Sequence, residues 1–315
     1  MYFKKPKFWD QKKISKFLIF LFPLTFPVIV NNCLNKIIPK KKNSKIKSIC
    51  IGNIYIGGTG KTPIVLMLYK ILDRLGYKIS VGKKFYKSQK DEQEILRDKC
   101  NLVCENSREK ILEICQKNKK QVVIFDDGLQ DSKMDYDLKF VCFDGTTGIG
   151  NGMLIPLGPL REKIESLTKF DGVILKNITD TSLKSFEKKI KLINPKIKIF
   201  YSSYIPLNLK KFDLKKKYLV FSGIGNPNNF KNLLIKYNFK IEKEIIYPDH
   251  YDYKSKDVRT ILRTAKKLNA KIITTEKDYV KISKEDRNNI NFLEIALEID
   301  NEEELIKFIK TKIYE

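Results

Sequence analysis

Histidine is almost absent from this 315-residue chain: His250 is the only one. An imidazole-built metal centre is therefore excluded, and one side chain of the type that ordinarily titrates near neutrality remains. Six cysteines occur, but Cys100 and Cys104 form no C-x-x-C pair and have no neighbouring histidine. Most of the others sit in apolar runs such as Ser48-Ile49-Cys50-Ile51 and Phe140-Val141-Cys142-Phe143, where cysteine packs as a small hydrophobe. No disulfide framework or metal cage is legible, and a reducing compartment fits. No apolar run reaches the roughly 20 residues of a spanning helix. Internal repeats and low-complexity linkers are also missing.

What is abundant is lysine. The formal net charge is +25, from 62 basic and 37 acidic residues. Such a balance attracts nucleic acid or an anionic membrane surface. The lysines are spread through the chain, however, and the aromatic-rich basic motifs of RNA modules are missing, so no nucleic-acid partner is expected. Local clusters carry more information. Lys4, Lys5, Lys7, Lys12, Lys13 and Lys16 precede an apolar run over 17–30 that is broken by Pro23 and Pro27, and Lys40, Lys41 and Lys42 follow it. A basic region before an apolar one also suits a signal peptide, but there is no small-residue cleavage site. The pattern favours a helix lying in a cytoplasmic membrane interface, with Trp9 and the phenylalanines immersed and the lysines on anionic headgroups. A buried core helix is the alternative.

The most informative stretch is Gly57-Gly58-Thr59-Gly60-Lys61-Thr62-Pro63. A glycine-rich turn between a strand and a helix aims backbone N–H groups at an anion. Lys61 adds a charge for the β- and γ-phosphates, and Thr62 offers a hydroxyl to Mg²⁺. The usual pattern has glycine five positions before Gly60, where Tyr55 stands here, so the loop is a variant.

From residue 45 the chain reads as strand–helix alternation, which predicts a parallel sheet with helices on both faces. Strands are expected over 48–53, 78–82, 101–104, 121–125, 138–143, 172–175 and 197–204, with helices over 62–75, 91–99 and 108–117. After a polar stretch at 208–217 the alternation restarts, with strands over 218–222, 241–247, 271–274 and 291–296. Helices are expected there over 229–236, 255–268 and 302–313. The expected organisation is a membrane-associating segment 1–44, a nucleotide-binding domain 45–207 and a smaller α/β lobe 208–315. In open parallel sheets ligands bind at the carboxyl ends of the strands. Asp126-Asp127-Gly128 ends one such strand and has the character of a Walker B carboxylate pair, one for metal and the other for substrate or a loop. Asp91 stands just past another strand, where it either takes a proton from an alcohol nucleophile or favours the dipole of a helix start.

Six motifs in order resemble one family. They are Gly52-Asn53 with the loop to Pro63; Asp126-Asp127-Gly128-Leu129-Gln130; Gly150-Asn151-Gly152 with Pro156-Leu157-Gly158-Pro159-Leu160-Arg161-Glu162; Gly223-Ile224-Gly225-Asn226-Pro227; Pro248-Asp249-His250; and Thr274-Thr275-Glu276-Lys277-Asp278. Together they are similar to the tetraacyldisaccharide 4′-kinases of lipid A biosynthesis. The resemblance implies a P-loop NTPase-like α/β/α sandwich, a second α/β lobe, and a site in the cleft between them. It implies transfer of phosphate from ATP, with Mg²⁺, to the 4′-hydroxyl of a tetraacyldisaccharide 1-phosphate at the cytoplasmic face of the inner membrane. By the same resemblance Gly57, Gly58, Thr59, Gly60, Lys61 and Thr62 bind nucleotide, and Asp91 is the base with His250 pairing to it from the other lobe. Thr62, Asp127 and Glu162 stand around the metal, and Asp126, Gln130 and Arg161 face the substrate. Two departures stand out. Gly82-Lys83-Lys84-Phe85-Tyr86 replaces the family's Ser-Arg-Gly-Tyr-Gly, so Lys83 or Lys84 stands in for the arginine. Asp131 replaces the histidine that ends the Asp-Asp-Gly motif. The alternatives are a P-loop kinase for another alcohol and a basic nucleotide-binding protein without lipid kinase activity. A GTPase is disfavoured, because Lys176-Asn177 does not continue as a base-recognition motif.

Overall fold

A computed structural model describes residues 6–10, 16–42, 45–56, 60–145, 147–176 and 180–314. The elements in chain order are α1 (Phe26–Ile37), β1 (Lys41–Lys42), β2 (Lys47–Gly52), α2 (Lys61–Arg74), β3 (Ile79–Lys84), α3 (Lys90–Lys99), β4 (Leu102–Glu105) and α4 (Arg108–Lys117). Next come β5 (Val122–Asp126), β6 (Met134–Asp135), β7 (Leu138–Asp144), β8 (Gly172–Lys176), α5 (Asp180–Ile193) and β9 (Lys198–Pro206). The last are β10 (Lys217–Ser222), α6 (Pro227–Lys236), β11 (Lys240–Ile246), α7 (Ser255–Lys267), β12 (Lys271–Thr275), α8 (Glu276–Tyr279), β13 (Ile290–Leu293), β14 (Ile295–Ile299) and α9 (Glu302–Tyr314).

Two compact units result. The larger takes Lys5–Phe85, Lys99–Ser203 and Leu297–Glu315, and the smaller takes Tyr86–Asp98 and Tyr204–Ala296. This grouping differs from the expected domains in three segments, the first being that the chain from Lys5 to 44 belongs to the larger unit. Most of α3, expected with the nucleotide-binding strands, belongs to the smaller unit, and the chain end with α9 belongs to the larger.

In the larger unit an eight-stranded sheet runs β14-β9-β8-β7-β2-β5-β3-β4. Strands β2 and β5 are parallel neighbours with Ile51 beside Asp126, so the turn after β2 and the acidic end of β5 leave the sheet together. Every residue of β5 is buried, the mark of a strand covered on both faces. Helix α2 shows why its segment is helical. Ile64, Val65, Leu68, Ile71 and Leu72 form one buried stripe, and Pro63 lies in the first turn, where its missing N–H costs nothing. Gly76, at φ +82°, ends it.

The smaller unit holds a sheet ordered β11-β10-β12-β13. Alternation along β10 sends Tyr218 and Val220 into a core with Phe230 and Leu234 of α6. It sends Leu219 and Phe221 into another with Val258 and Ile261 of α7. The strand expected over 291–296 is two strands that break at Glu294 and enter different sheets, and α5 was not anticipated.

The N-terminal segment corrects one expectation. Trp9 is 2% exposed and is packed within the protein instead of lying in a bilayer. Its Nε1 donates to Pro156 O at 3.0 Å, and its carbonyl accepts from Asn151 N at 2.7 Å. A Cβ on Gly150 would sit 2.5 Å from that carbonyl, which explains a glycine there. Beyond it, Phe20 is 80% exposed, and Phe22, Leu24, Phe26, Leu34 and Ile37 are also exposed, while Val28 and Ile29 pack on the core. No helix among the described residues is long and apolar enough to cross a membrane.

Candidate active site

In the larger unit the ends of β2 and β5 gather a polar cluster. Gly60, at φ +80°, caps α2; Gly57, Gly58 and Thr59 lie outside the described residues. Lys61, in the first turn, places Nζ 3.2 Å from Asn53 Oδ1 and 3.3 Å from Asp127 Oδ2. Thr62 Oγ1 donates to Asp126 Oδ2 at 3.2 Å, so the hydroxyl faces Asp126 and not Asp127. The same Asp126 oxygen accepts from Lys83 Nζ at 2.6 Å, with the two side chains 0% and 3% exposed. Asp126 Oδ1 is buried and has no hydrogen-bond partner among the described residues. Lys83 is therefore a buried counter-ion of Asp126.

Asp127 sits at φ +66°, a conformation that aspartate tolerates because its carboxylate bonds locally; here Oδ1 accepts from the N–H of Gly128 at 3.1 Å. Arg161 Nη1 reaches Asp127 Oδ2 at 3.2 Å and Gln130 Oε1 at 3.3 Å. Gln130 in turn donates to Glu162 Oε1 and to the carbonyl of Asn53, both at 3.0 Å, and Lys169 lies 3.4 Å from Glu162. Burial pushes the Asp127 carboxyl up. The charges of Lys61 and Arg161 outweigh that and hold it well below the usual carboxylate range. The expected metal set, Thr62, Asp127 and Glu162, thus has its two carboxylates turned to cations and an amide.

Two residues here escaped the sequence reading. Arg108 donates to the Asp127 carbonyl at 2.7 and 3.2 Å and to Asp131 Oδ2 at 2.7 Å, so Asp131 anchors the guanidinium that holds Asp127. An arginine opening α4, against the helix dipole, was the available hint. Asn32 of α1 donates to the Arg161 carbonyl at 2.9 Å, and nothing in the local sequence signals it.

The smaller unit holds a second cluster, and it contains both Asp91 and His250. Asp91 lies in the first turn of α3, with its side chain 4% exposed. His250 has φ +57°, with its N–H near Gly223 O at 3.2 Å and Asp249 Oδ1 at 3.0 Å. Its Nδ1 is 3.3 Å from Asp91 Oδ1. Lys277 and Lys281 bring ammonium groups 3.7 and 3.5 Å from Asp91 Oδ2. Burial raises the Asp91 carboxyl, but the His250 hydrogen bond and the two lysine charges outweigh it and leave it below its ordinary value. Burial lowers Lys277, and Glu92, Asp249 and Asp91 more than reverse that. The sequence reading quoted Lys277 within a motif but gave it no role.

The comparisons bear on the whole chain. The family described as Tetraacyldisaccharide-1-P 4′-kinase matches residues 17–100 and 87–314. This chain belongs to the tetraacyldisaccharide-1-P 4′-kinase family. A tetraacyldisaccharide 4′-kinase of Pelagibacter ubique is 46% identical over 98% of this chain and 98% of that protein. One from Rickettsia akari is 31% identical, again over 98% of each. Among solved structures, the kinase LpxK from Aquifex aeolicus, crystallised with ATP, matches with a TM-score of 0.67 at 22% identity. It covers 95% of this chain and 100% of that one. The tetraacyldisaccharide 4′-kinase fold is thus shared, and with it the P-loop NTPase-like α/β character that the resemblance implied.

Proposed function

We propose that this protein phosphorylates the 4′-hydroxyl of tetraacyldisaccharide 1-phosphate with ATP, forming lipid IVA. The observation that carries the reading is Asp91, a buried carboxylate with His250 Nδ1 3.3 Å from both of its oxygens and the Lys281 and Lys277 ammonium groups 3.5 and 3.7 Å from Oδ2. In the transfer the substrate hydroxyl oxygen bonds to the γ-phosphorus. The bond from phosphorus to the β,γ-bridging oxygen breaks with its electrons on ADP, and the hydroxyl proton passes to Asp91. Lys61 neutralises phosphate charge. Arg161 and Gln130 stand as substrate contacts.

Magnesium fits Thr62 and Asp126: a hydroxyl meets a carboxylate whose Oδ1 is buried without a partner, an acceptor that a cation or its water would satisfy. Bound there, it would neutralise charge on the phosphate oxygens. Asp127 would then hold Lys61 and Arg161 in place.

The exposed apolar face of α1 supports seating on the cytoplasmic leaflet, where a lipid substrate stays. Labelled ATP, Mg²⁺ and the lipid acceptor in detergent provide the test. Label should move to the lipid, vanish with Lys61→Ala and fall at least about hundredfold with Asp91→Asn. Bound ATP without transfer would sink the assignment.

A further inference from the structure

We propose that Lys277 fixes the proton of His250 on Nδ1, making the imidazole a dedicated donor to Asp91 and Lys277 a positioning residue for the transfer step. The inference rests on the reading of Asp91 as proton acceptor.

An ammonium group has three donors and no acceptor. Around Lys277 Nζ stand His250 Nε2 at 3.3 Å, Glu92 Oε1 at 3.2 Å, Asp249 Oδ1 at 3.5 Å and, farther off, Asp91 Oδ2 at 3.7 Å. A proton on Nε2 would point at a cation 3.3 Å away, so Nε2 carries the lone pair. The ring proton then lies on Nδ1, 3.3 Å from Asp91 Oδ1. The backbone of His250 is held by Gly223 and Asp249, so the ring is presented and not merely tolerated.

The neighbouring lysine has a different task. Lys281 binds Asp278 Oδ1 at 3.1 Å and the Gly223 carbonyl at 3.4 Å. Asp278 is itself buried and held by Thr275 and Tyr253. Lys281 is thus tied to the scaffold and lends Asp91 only its charge, whereas Lys277 touches the imidazole. His250 Nδ1 lies 3.3 Å from both Asp91 oxygens, and its aligned hydrogen bond goes to Oδ1; Oδ2 is buried with no aligned donor among the described residues, and a substrate hydroxyl would satisfy it.

Because His250 is the only histidine, a two-bond ¹H–¹⁵N correlation spectrum of the labelled full-length protein reports one imidazole without assignment. The wild type should show the Nδ1-protonated tautomer. Because the Asp91 carboxylate also selects a proton on Nδ1, the effect of Lys277 on the tautomer is read in the Asp91→Asn background, whose amide can donate or accept. There Lys277→Met should move the ring toward the Nε2-protonated form that a free imidazole prefers, while with Asp91 present it should lower kcat at least about tenfold with ATP affinity and lipid KM little changed. Lys277→Arg, which keeps a donor to Nε2, should retain the tautomer and most of kcat. An Nε2-protonated wild type, or the same tautomer in Asp91→Asn with and without Lys277→Met, overturns the proposal. These spectra need no lipid substrate, so a failure of the kinase reading would leave them to be judged separately.

Discussion

Replacing Lys83 with methionine should expose the electrostatic cost built into the end of β5. Lys83 Nζ and Asp126 Oδ2 are 2.6 Å apart with side chains 3% and 0% exposed, so water screens neither. An exposed ion pair contributes about 0–1 kcal/mol. Removing one partner of a buried pair leaves an uncompensated charge and costs roughly 3–5 kcal/mol. Thr62 Oγ1, at 3.2 Å, is a neutral donor and does not replace the ammonium. At about 2–4 °C per kcal/mol for a unit of this size, Lys83→Met should lower the unfolding midpoint by about 6–20 °C. Calorimetry without nucleotide is the assay, because bound ligand would add its own stabilisation. Asp126→Asn in the Lys83→Met background removes the stranded charge and should recover most of the loss. A loss under about 1 kcal/mol, or no recovery in the double variant, would refute the view of Lys83 as a buried counter-ion.

Gly128→Ala places a methyl group 2.5 Å from Tyr136 Oη and 2.9 Å from Arg108 Nε, and should cost about 1–3 kcal/mol in urea unfolding. Trp9→Ala should destabilise the protein by about 3–5 kcal/mol, as for any buried indole. Phe20→Ser and Phe26→Ser should instead change stability by less than about 0.5 kcal/mol while lowering co-sedimentation with anionic vesicles. Substitutions separate folding from membrane binding here, whereas a truncation through Asn32 would remove Trp9 as well. Acid should destabilise the protein through Asp91 and Asp127. Their folded-state values lie below the ordinary one, so their stabilisation is complete above about pH 4 and is lost as pH falls through the folded values. Urea midpoints measured from pH 6 downward should show this fall, and Asp127→Asn should flatten it.

Much of this was written locally. The helix expected over 62–75 and the strand expected over 121–125 depend on neighbours a few residues apart, and α2 and β5 form there. The departures are non-local. Trp9 reads as a membrane anchor because sequence contains aromaticity and flanking charge, not the distant Gly150-Asn151 pocket that receives it. The break at Glu294 is invisible because one glutamate between Phe292-Leu293 and Ile295-Ala296 reads as an outward position of a single strand, and only the edge available to each half decides its sheet.

The chain's sequence by itself determined the phosphate-loop type, the alternation of strands and helices, and the residues Lys61, Thr62, Asp91, Asp126 and His250 as candidates. Turns, helical stripes and strand ends are short-range chemistry. Only the tertiary structure decided that Thr62 meets Asp126, that Lys83 neutralises that carboxylate, and that Lys277 joins His250 to Glu92. Those pairs are separated by 27 to 185 positions in the chain, so no local pattern brings them together and only the packing of distant elements sets their distance in space.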